Sequence, residues 1–210
     1  IAIGYTMVYG IAKMLNFAHG DIIMVGGYTL LIFLNMTGNP FIAIAAAVVL
    51  CGVLGVVIEK VAYKPLRGAS PLAVHITAIG VSYLLQSIAQ ITQGSNAKMV
   101  TFGDMGVLKF GELVIQTKTV VTLISAIVIM VALSIFIKYS KTGRAMIATS
   151  EDRAATQLMG INVNKIITIT FAIGSALAAL AGFFSLLETP QISSTFGAMP
   201  GIKAFTAAVI

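Results

Sequence analysis

Long stretches without a charged residue alternate with short polar segments along this chain. Residues 119–137 and 166–187 carry no charge, and each stretch is about as long as the ~20 residues that a helix needs to cross a bilayer. Residues 22–58 are also uncharged, but an Asn/Gly/Pro cluster at 35–40 interrupts them, as such residues do at turns. The pattern predicts five complete helices: about 22–36, 41–58, 72–93 (with Pro71 in its first turn), 119–137 and 166–187.

Two further apolar stretches, 1–12 and 203–210, look like the end of one helix and the start of another. We therefore predict an all-α polytopic membrane protein with about seven transmembrane helices in this chain. We expect 1–210 to form a single transmembrane domain that is truncated at both ends.

The distribution of Lys and Arg predicts the orientation of the helices in the membrane. The segments 59–70 and 138–165 together contain eight Lys and Arg residues, whereas the segments predicted on the opposite side contain three, all in 94–118. Cytoplasmic loops are the basic ones, so 59–70 and 138–165 are predicted to be cytoplasmic. The glycine-containing segment 94–118 is predicted to be an external, hairpin-like excursion.

Composition excludes several function classes. Hydrophobic residues make up 58% of the chain and charged residues 10%, against roughly 25% charged in soluble domains. The net charge of +6 is dispersed between apolar stretches, so we exclude a nucleic-acid-binding protein. No phosphate-binding loop, nucleophile elbow or His-Glu-x-x-His motif occurs, and no His has further ligands at metal-binding spacing. The sequence therefore predicts neither catalytic nor metal-binding residues.

The basic segment 138–165 contains a predicted amphipathic helix over 151–160. Thr149 and Asp152 have the spacing of a capping box, with Ser150 as an alternative cap, and Gly160 is placed to end the helix. Its apolar residues recur at helical spacing: Ala154, Ala155, Leu158 and Met159. From the residues alone two interpretations stay open: a helix lying on the protein's own loops, or one that docks in a groove of a soluble partner.

A second group of candidate residues lies on the helix 72–93. His75, Ser82, Gln86 and Gln93 fall within about 20° of one line along that helix. Polar side chains in a membrane span face another helix or a cavity rather than lipid. They indicate either hydrogen bonds between helices or the lining of a hydrophilic path.

Other features have simpler interpretations. Small residues recur every four positions, at Ala47, Cys51 and Gly55 and at Gly174, Ala178 and Gly182, which we interpret as close helix packing. Asp21 is near the start of a helix, where its charge suits the helix dipole, and proton transfer is the alternative role. We interpret His19 as a hydrogen-bonding residue in a turn.

Four segments resemble the permeases of bacterial branched-chain amino acid ABC importers. They are I-A-I-G-Y-T-M-V-Y-G-I at 1–11, L-N-F-A-H-G-D-I at 15–22, Y-S-K-T-G-R-A…S-E-D-R-A-A-T-Q-L-M-G-I-N-V at 139–163 and A-M-P-G-I-K-A-F-T-A-A-V-I at 198–210. The resemblance extends over essentially the whole chain. The sequence N-F-A-H-G favours the first, H-type permease subunit, and urea and short-chain amide importers are similar.

The resemblance implies a multi-pass protein of the bacterial or archaeal plasma (inner) membrane, without a cofactor of its own. It implies as partners a second permease subunit, two cytoplasmic ATP-binding subunits that hold ATP and Mg²⁺, and an extracytoplasmic substrate-binding protein. The family often has one more span than the seven predicted here.

The resemblance also identifies 151–160 as the coupling helix that docks on the ATPase. The residues assigned to it are Glu151, Asp152, Arg153, Ala154, Ala155, Leu158, Met159 and Gly160. The family often has Glu-Ala-Ala-x-x-x-Gly there. This chain instead has Ala154-Ala155-Thr156 before Gly160, and Glu151 lies three residues before the family's Glu.

Three function classes compete. The first is a non-catalytic translocation subunit of an ATP-driven importer for branched-chain or other amino acids. The second is an ion-coupled secondary transporter, which would need ionisable residues within the spans. The carboxylates instead lie at the ends of apolar stretches or in loops: Asp21, Glu59, Asp104, Glu112, Glu151, Asp152 and Glu188. The third is a non-transporting scaffold, against which the polar residues of 72–93 argue.

Overall fold

A computed structural model describes residues 1–14, 16–100, 102, 106–110 and 113–209, and the side chains of 107–110, 113–115 and 209 lie outside this description. Leu15, Asp104 and Glu112, which belong to the sequence predictions, lie outside the described residues. The helices are α1 (Ala2–Ala12), α2 (His19–Thr37), α3 (Pro40–Ile58), α4 (Pro71–Gln93), α5 (Thr117–Tyr139), α6 (Lys141–Glu151), α7 (Arg153–Leu158), α8 (Val163–Glu188) and α9 (Ala198–Val209). The strands are β1 (Lys98–Met99), β2 (Val107–Phe110), β3 (Leu113–Gln116) and β4 (Gln191–Ile192).

Five of these helices are long and apolar enough to cross a membrane. They are α2, α3 with its extension to Leu66, α4, α5 and α8, and each coincides with a helix that the apolar stretches predict. This confirms an all-α polytopic membrane protein. Helices α1 and α9 have 11 and 12 residues, fewer than a span needs, so the predicted count of seven transmembrane helices is not confirmed.

Local sequence explains where the spans begin. Asn39 precedes Pro40 and accepts a hydrogen bond from the Phe41 amide at 3.0 Å, which caps α3. Ser70 and Pro71 start α4 in the same way, which confirms the place predicted for Pro71. Helix α3 continues directly into a π-helical turn, Glu59–Tyr63, and a 3₁₀ turn, Lys64–Leu66.

Helix α8 is central and packs against α1, α2 and α3. The two predicted series of small residues are buried at these contacts: Ala47, Cys51 and Gly55 on α3, and Gly174, Ala178 and Gly182 on α8. A Cβ atom at Gly182 would lie 2.8 Å from the Ile23 carbonyl oxygen, which leaves no room for a side chain. The prediction of close helix packing is confirmed.

Helix α5 is at the periphery. None of its residues is buried, and its side chains are apolar almost throughout, with Leu123 63% exposed. An all-round apolar, exposed helix suits contact with lipid or with another membrane helix.

The two ends of the bundle differ. At one end β1 pairs with β4, and β2 pairs with β3 in an antiparallel hairpin, as the segment 94–118 predicts. At the other end Arg67 donates a hydrogen bond to Asn164, so the two basic segments meet there. The predicted common side of these segments therefore agrees with the fold.

Candidate functional site

The basic segment folds into two helices with a sharp break between them. Helix α6 ends at Glu151, Asp152 has extended backbone angles (φ −146°, ψ 113°), and α7 begins at Arg153. The Asp152 carboxylate accepts hydrogen bonds from the amides of Ala154 at 2.8 Å and Ala155 at 3.1 Å. Asp152 is thus the N-cap.

The predicted cap, Thr149, and its alternative, Ser150, are wrong. Their hydroxyl groups donate to the carbonyls of Ala145 and Ile147, inside α6. Glu151 belongs to α6 rather than to the predicted helix, because the chain turns at the next residue. The single helix predicted over 151–160 is therefore shorter and starts two residues later.

The C-terminal end of α7 is fixed by a glycine turn. Gly160 has φ +78°, a left-handed conformation that a residue without a Cβ adopts at little cost. The Gly160 amide donates to the Gln157 carbonyl at 2.9 Å and the Ile161 amide to the Thr156 carbonyl at 3.3 Å. This pair of bonds is a Schellman motif, and Gly160 ends the helix as predicted.

The apolar residues of α7 face away from the bundle. Thr156 is buried, whereas Ala154 and Ala155 are exposed and Leu158 and Met159 are 89% and 81% exposed. The helix therefore presents apolar side chains outward at the basic end of the bundle.

Arg153 joins α7 to the body of the protein. Its guanidinium donates to the carbonyl of Ala12 and, at 3.4 Å, to that of Ile11, at the C-terminal end of α1. Those carbonyls carry the negative end of the α1 dipole, which a cation stabilises. Burial, and secondarily the neighbouring Arg67, lower the pKa of Arg153 from its ordinary value.

Ser82 and Gln86 on α4 meet Asp21 on α2. The Gln86 side-chain amide donates to Asp21 Oδ1 at 2.8 Å and to Ser82 Oγ at 3.3 Å. All three residues line a cavity of about 270 Å³ that α9 closes on one side. Of the two interpretations of these polar residues, inter-helix hydrogen bonding and cavity lining, the structure contains features of both.

His75 and Gln93 lie outside this cavity, at opposite ends of α4. The His75 ring nitrogen Nδ1 is 2.5 Å from the Pro71 carbonyl oxygen, and the residue lines a separate cavity of about 440 Å³ with Arg67 and Arg153. Gln93 accepts a hydrogen bond from Lys98 at 2.8 Å, beside β1. The predicted line of four polar residues thus extends along α4 through three different environments.

A close backbone contact holds α9 beside the start of α2. A Cβ atom at Gly20 would lie 2.5 Å from the Gly197 carbonyl oxygen, so the two glycines permit the contact. Asp21 follows Gly20 and is only 3% exposed. The sequence placed Asp21 correctly near a helix start but did not indicate that it is enclosed by three helices.

Glu59 and Arg67 form a buried ion pair that the sequence pattern did not reveal. Glu59 is fully buried, and its second carboxylate oxygen accepts a hydrogen bond from Thr168 Oγ1 of α8 at 2.7 Å. A π-helical turn and a 3₁₀ turn occupy the segment from Glu59 to Leu66, and they bring Arg67 back to Glu59. In the described part of the chain, no three His, Cys, Asp or Glu residues cluster as metal ligands.

Comparison with known proteins places the chain in a family. It matches, over residues 1–210, the family described as "Branched-chain amino acid transport system / permease component". The chain belongs to this permease family. The permease is 42% identical over 224 residues to the high-affinity branched-chain amino acid transport system permease protein BraD of Pseudomonas aeruginosa. This alignment covers 100% of the chain and 73% of BraD.

The permease has the same identity and coverage with the corresponding protein LivH of Escherichia coli K12. It is 24% identical over 212 residues to the ribose import permease protein RbsC of that bacterium, with 100% of the chain and 64% of RbsC covered. No solved structure matches. These relationships confirm the resemblance to H-type branched-chain amino acid permeases, and with it a permease component rather than an enzyme.

Proposed function

We propose that the chain is a translocation subunit of an ATP-driven importer of branched-chain or other amino acids, and that α7 docks it on a cytoplasmic ATPase. The observation that carries the docking is the exposure of Leu158 and Met159 at the end of a helix that is capped at both ends and joined to α1 through Arg153. Exposed apolar side chains on a fixed helix suit insertion into a groove of a partner protein. The basic residues at this end support a cytoplasmic location.

The proposed assembly contains a second permease subunit, two ATP-binding subunits with their ATP and Mg²⁺, and an extracytoplasmic substrate-binding protein, in the plasma (inner) membrane. Relatives named for branched-chain amino acids favour that substrate over urea or short-chain amides. The anchoring of Arg153 on α1 supports transmission of force from α7, because α1 carries Tyr5 of the 270 Å³ cavity.

The docking proposal is tested by Ala155→Arg. A bulky charge on the exposed apolar surface of α7 must lose its hydration when the partner binds, so capture of the ATPase by the tagged permease should fall strongly. The matched control is Ala69→Arg, the same change at an exposed residue of the 59–70 segment. Equal capture by both variants would argue against docking through α7.

The path proposal is tested by Gln86→Leu. If Ser82 and Gln86 line the path, uptake should fall while the ATPase is still captured, because a polar solute loses hydrogen-bonding groups where it sheds water. If Gln86 serves only to bond α2, its loss removes an interaction of about 0.6 kcal/mol, and uptake should stay close to that of the parent protein.

One observation favours ion-coupled transport: the carboxylate of Asp21 is buried beside a cavity. Uptake into vesicles separates the two classes. The ATP-driven class predicts dependence on ATP and insensitivity to a protonophore, whereas the ion-coupled class predicts the reverse.

A further inference from the structure

The 270 Å³ cavity between α2, α4 and α9 has a polar corner in an otherwise apolar wall. The corner consists of Asp21, Ser82 and Gln86. The lining also contains aliphatic and aromatic residues, among them Ile79, Ile202 and Phe205. A site of this kind suits a ligand with one charged end and one apolar end.

The hydrogen bonds in the corner leave acceptor groups on Gln86 and Asp21. Gln86 directs its side-chain N–H group toward both Asp21 and Ser82, so its carbonyl oxygen is left to accept. An ionised Asp21 carboxylate accepts only.

No cation in the described part of the chain is paired with Asp21. The ion pair found there joins Arg67 to Glu59, at the basic end of the bundle. Asp21 is 3% exposed, and burying a charged carboxylate without a cation nearby destabilises the protein. A cationic ligand that entered the cavity would offset this loss. A single carboxylate supplies too few ligands for a divalent metal ion, whereas a primary ammonium group has three donors to offer.

We propose that this cavity binds the ammonium group of an aliphatic amine or amino acid at Asp21 and Gln86, with the aliphatic part against Ile79 and Phe205. The inference rests on the proposed function, since it places a recognition site on the translocation path. It assigns to Asp21 a role in ligand binding beyond its place in the first turn of α2.

The test measures access to a cysteine in the cavity wall. In a Cys51→Ala background, the Ile79→Cys permease is purified with its partner subunits in lipid nanodiscs without ATP, and its modification by a thiosulfonate reagent is timed. The probes are 3-methylbutylamine and 4-methylpentanoate, which share an aliphatic end but carry opposite charges. The control is Met99→Cys; Met99 is 70% exposed, pairs with Gln191 of β4 and does not line the cavity.

The amine should slow modification at position 79, the acid should not, and neither should affect position 99. Adding Asp21→Asn should weaken protection by the amine by about tenfold, as expected when one charge-assisted hydrogen bond is lost. Equal protection by amine and acid, or protection that Asp21→Asn leaves unchanged, would overturn the proposal. If Asp21→Asn fails to assemble, the comparison of amine and acid in the Asp21-containing protein still decides.

The ammonium site and the ATP-driven assembly are tested by different measurements, so either can fail without the other. Retention of the ATPase subunits during purification tests docking, whereas protection needs no ATP. An assembly that retains its ATPase but shows no preference for the amine would refute the ammonium site alone. Protection by the amine in a permease that captures no ATPase would leave the site standing and refute the ATP-driven assembly.

Discussion

Replacing Arg67 with alanine should destabilise the bundle much more than removing the exposed lysines beside it. Arg67 is paired with Glu59, whose side chain is fully buried, and its own side chain is 13% exposed. It also donates to Asn164, next to the start of α8, so it links α3 to α8 at the basic end. Without it, the buried Glu59 carboxylate keeps, among the described residues, only the hydrogen bond from Thr168.

The expected loss is about 3–5 kcal/mol in the free energy of unfolding, the range found when one member of a buried ion pair is removed. Adding Glu59→Gln to Arg67→Ala should restore part of this stability, because the uncompensated charge is then gone and the Gln side chain can still accept from Thr168. Lys60 and Lys64 are exposed, and replacing either with alanine should change stability by about 0.5 kcal/mol or less.

The assay is reversible unfolding in mixed detergent micelles with increasing SDS, followed by the helix signal in circular dichroism. The four proteins compared are Arg67→Ala, Glu59→Gln/Arg67→Ala, Lys60→Ala and Lys64→Ala. If Arg67→Ala unfolds at the same SDS fraction as the lysine variants, the buried pair does not stabilise the fold. A double variant less stable than Arg67→Ala would contradict the argument that the unpaired charge causes the loss.

Two further predictions follow from the packing and the charge distribution. Gly182→Val should lower the free energy of unfolding by about 1–3 kcal/mol, because a Cβ at this position lies 2.8 Å from the Ile23 carbonyl oxygen and would push α8 away from α2. The midpoint of thermal unfolding in detergent measures this loss, and an unchanged midpoint would contradict the close packing of the two helices. In a Cys51→Ala background, Ala69→Cys should resist a membrane-impermeant thiol reagent in intact cells while Met36→Cys reacts; labelling at 69 from outside would reverse the predicted topology.

The hydrophobic pattern was sufficient to predict the membrane-spanning helices, because a bilayer requires only length and apolarity of a helix that crosses it. It also predicted the packing of small residues, since Ala47, Cys51 and Gly55 repeat at helical spacing and all become buried. The predicted count of seven spans is not confirmed, because α1 and α9 comprise only 11 and 12 residues here.

The sites were harder to predict, because they depend on contacts between residues far apart in the chain. Gln86 and Asp21 are 65 positions apart, and only the crossing of α2 and α4 brings them together. The cap of α7 was mispredicted because Thr149, Ser150 and Asp152 are all residue types that cap helices, and because the spacing of Thr149 and Asp152 is that of a capping box. The extended backbone of Asp152, which ends α6 and starts α7, identifies Asp152 as the cap.

The central claim, docking of an ATPase on α7, is most directly tested by site-specific photocrosslinking in the membrane. A benzoylphenylalanine in place of Leu158 should crosslink to the ATPase subunit, since this side chain is 89% exposed on the proposed docking surface. The same residue in place of Met36, 75% exposed at the C-terminal end of α2, should give no such product. A crosslink to the ATPase from position 36, or its absence from position 158 in a complex that retains the ATPase, would contradict the account.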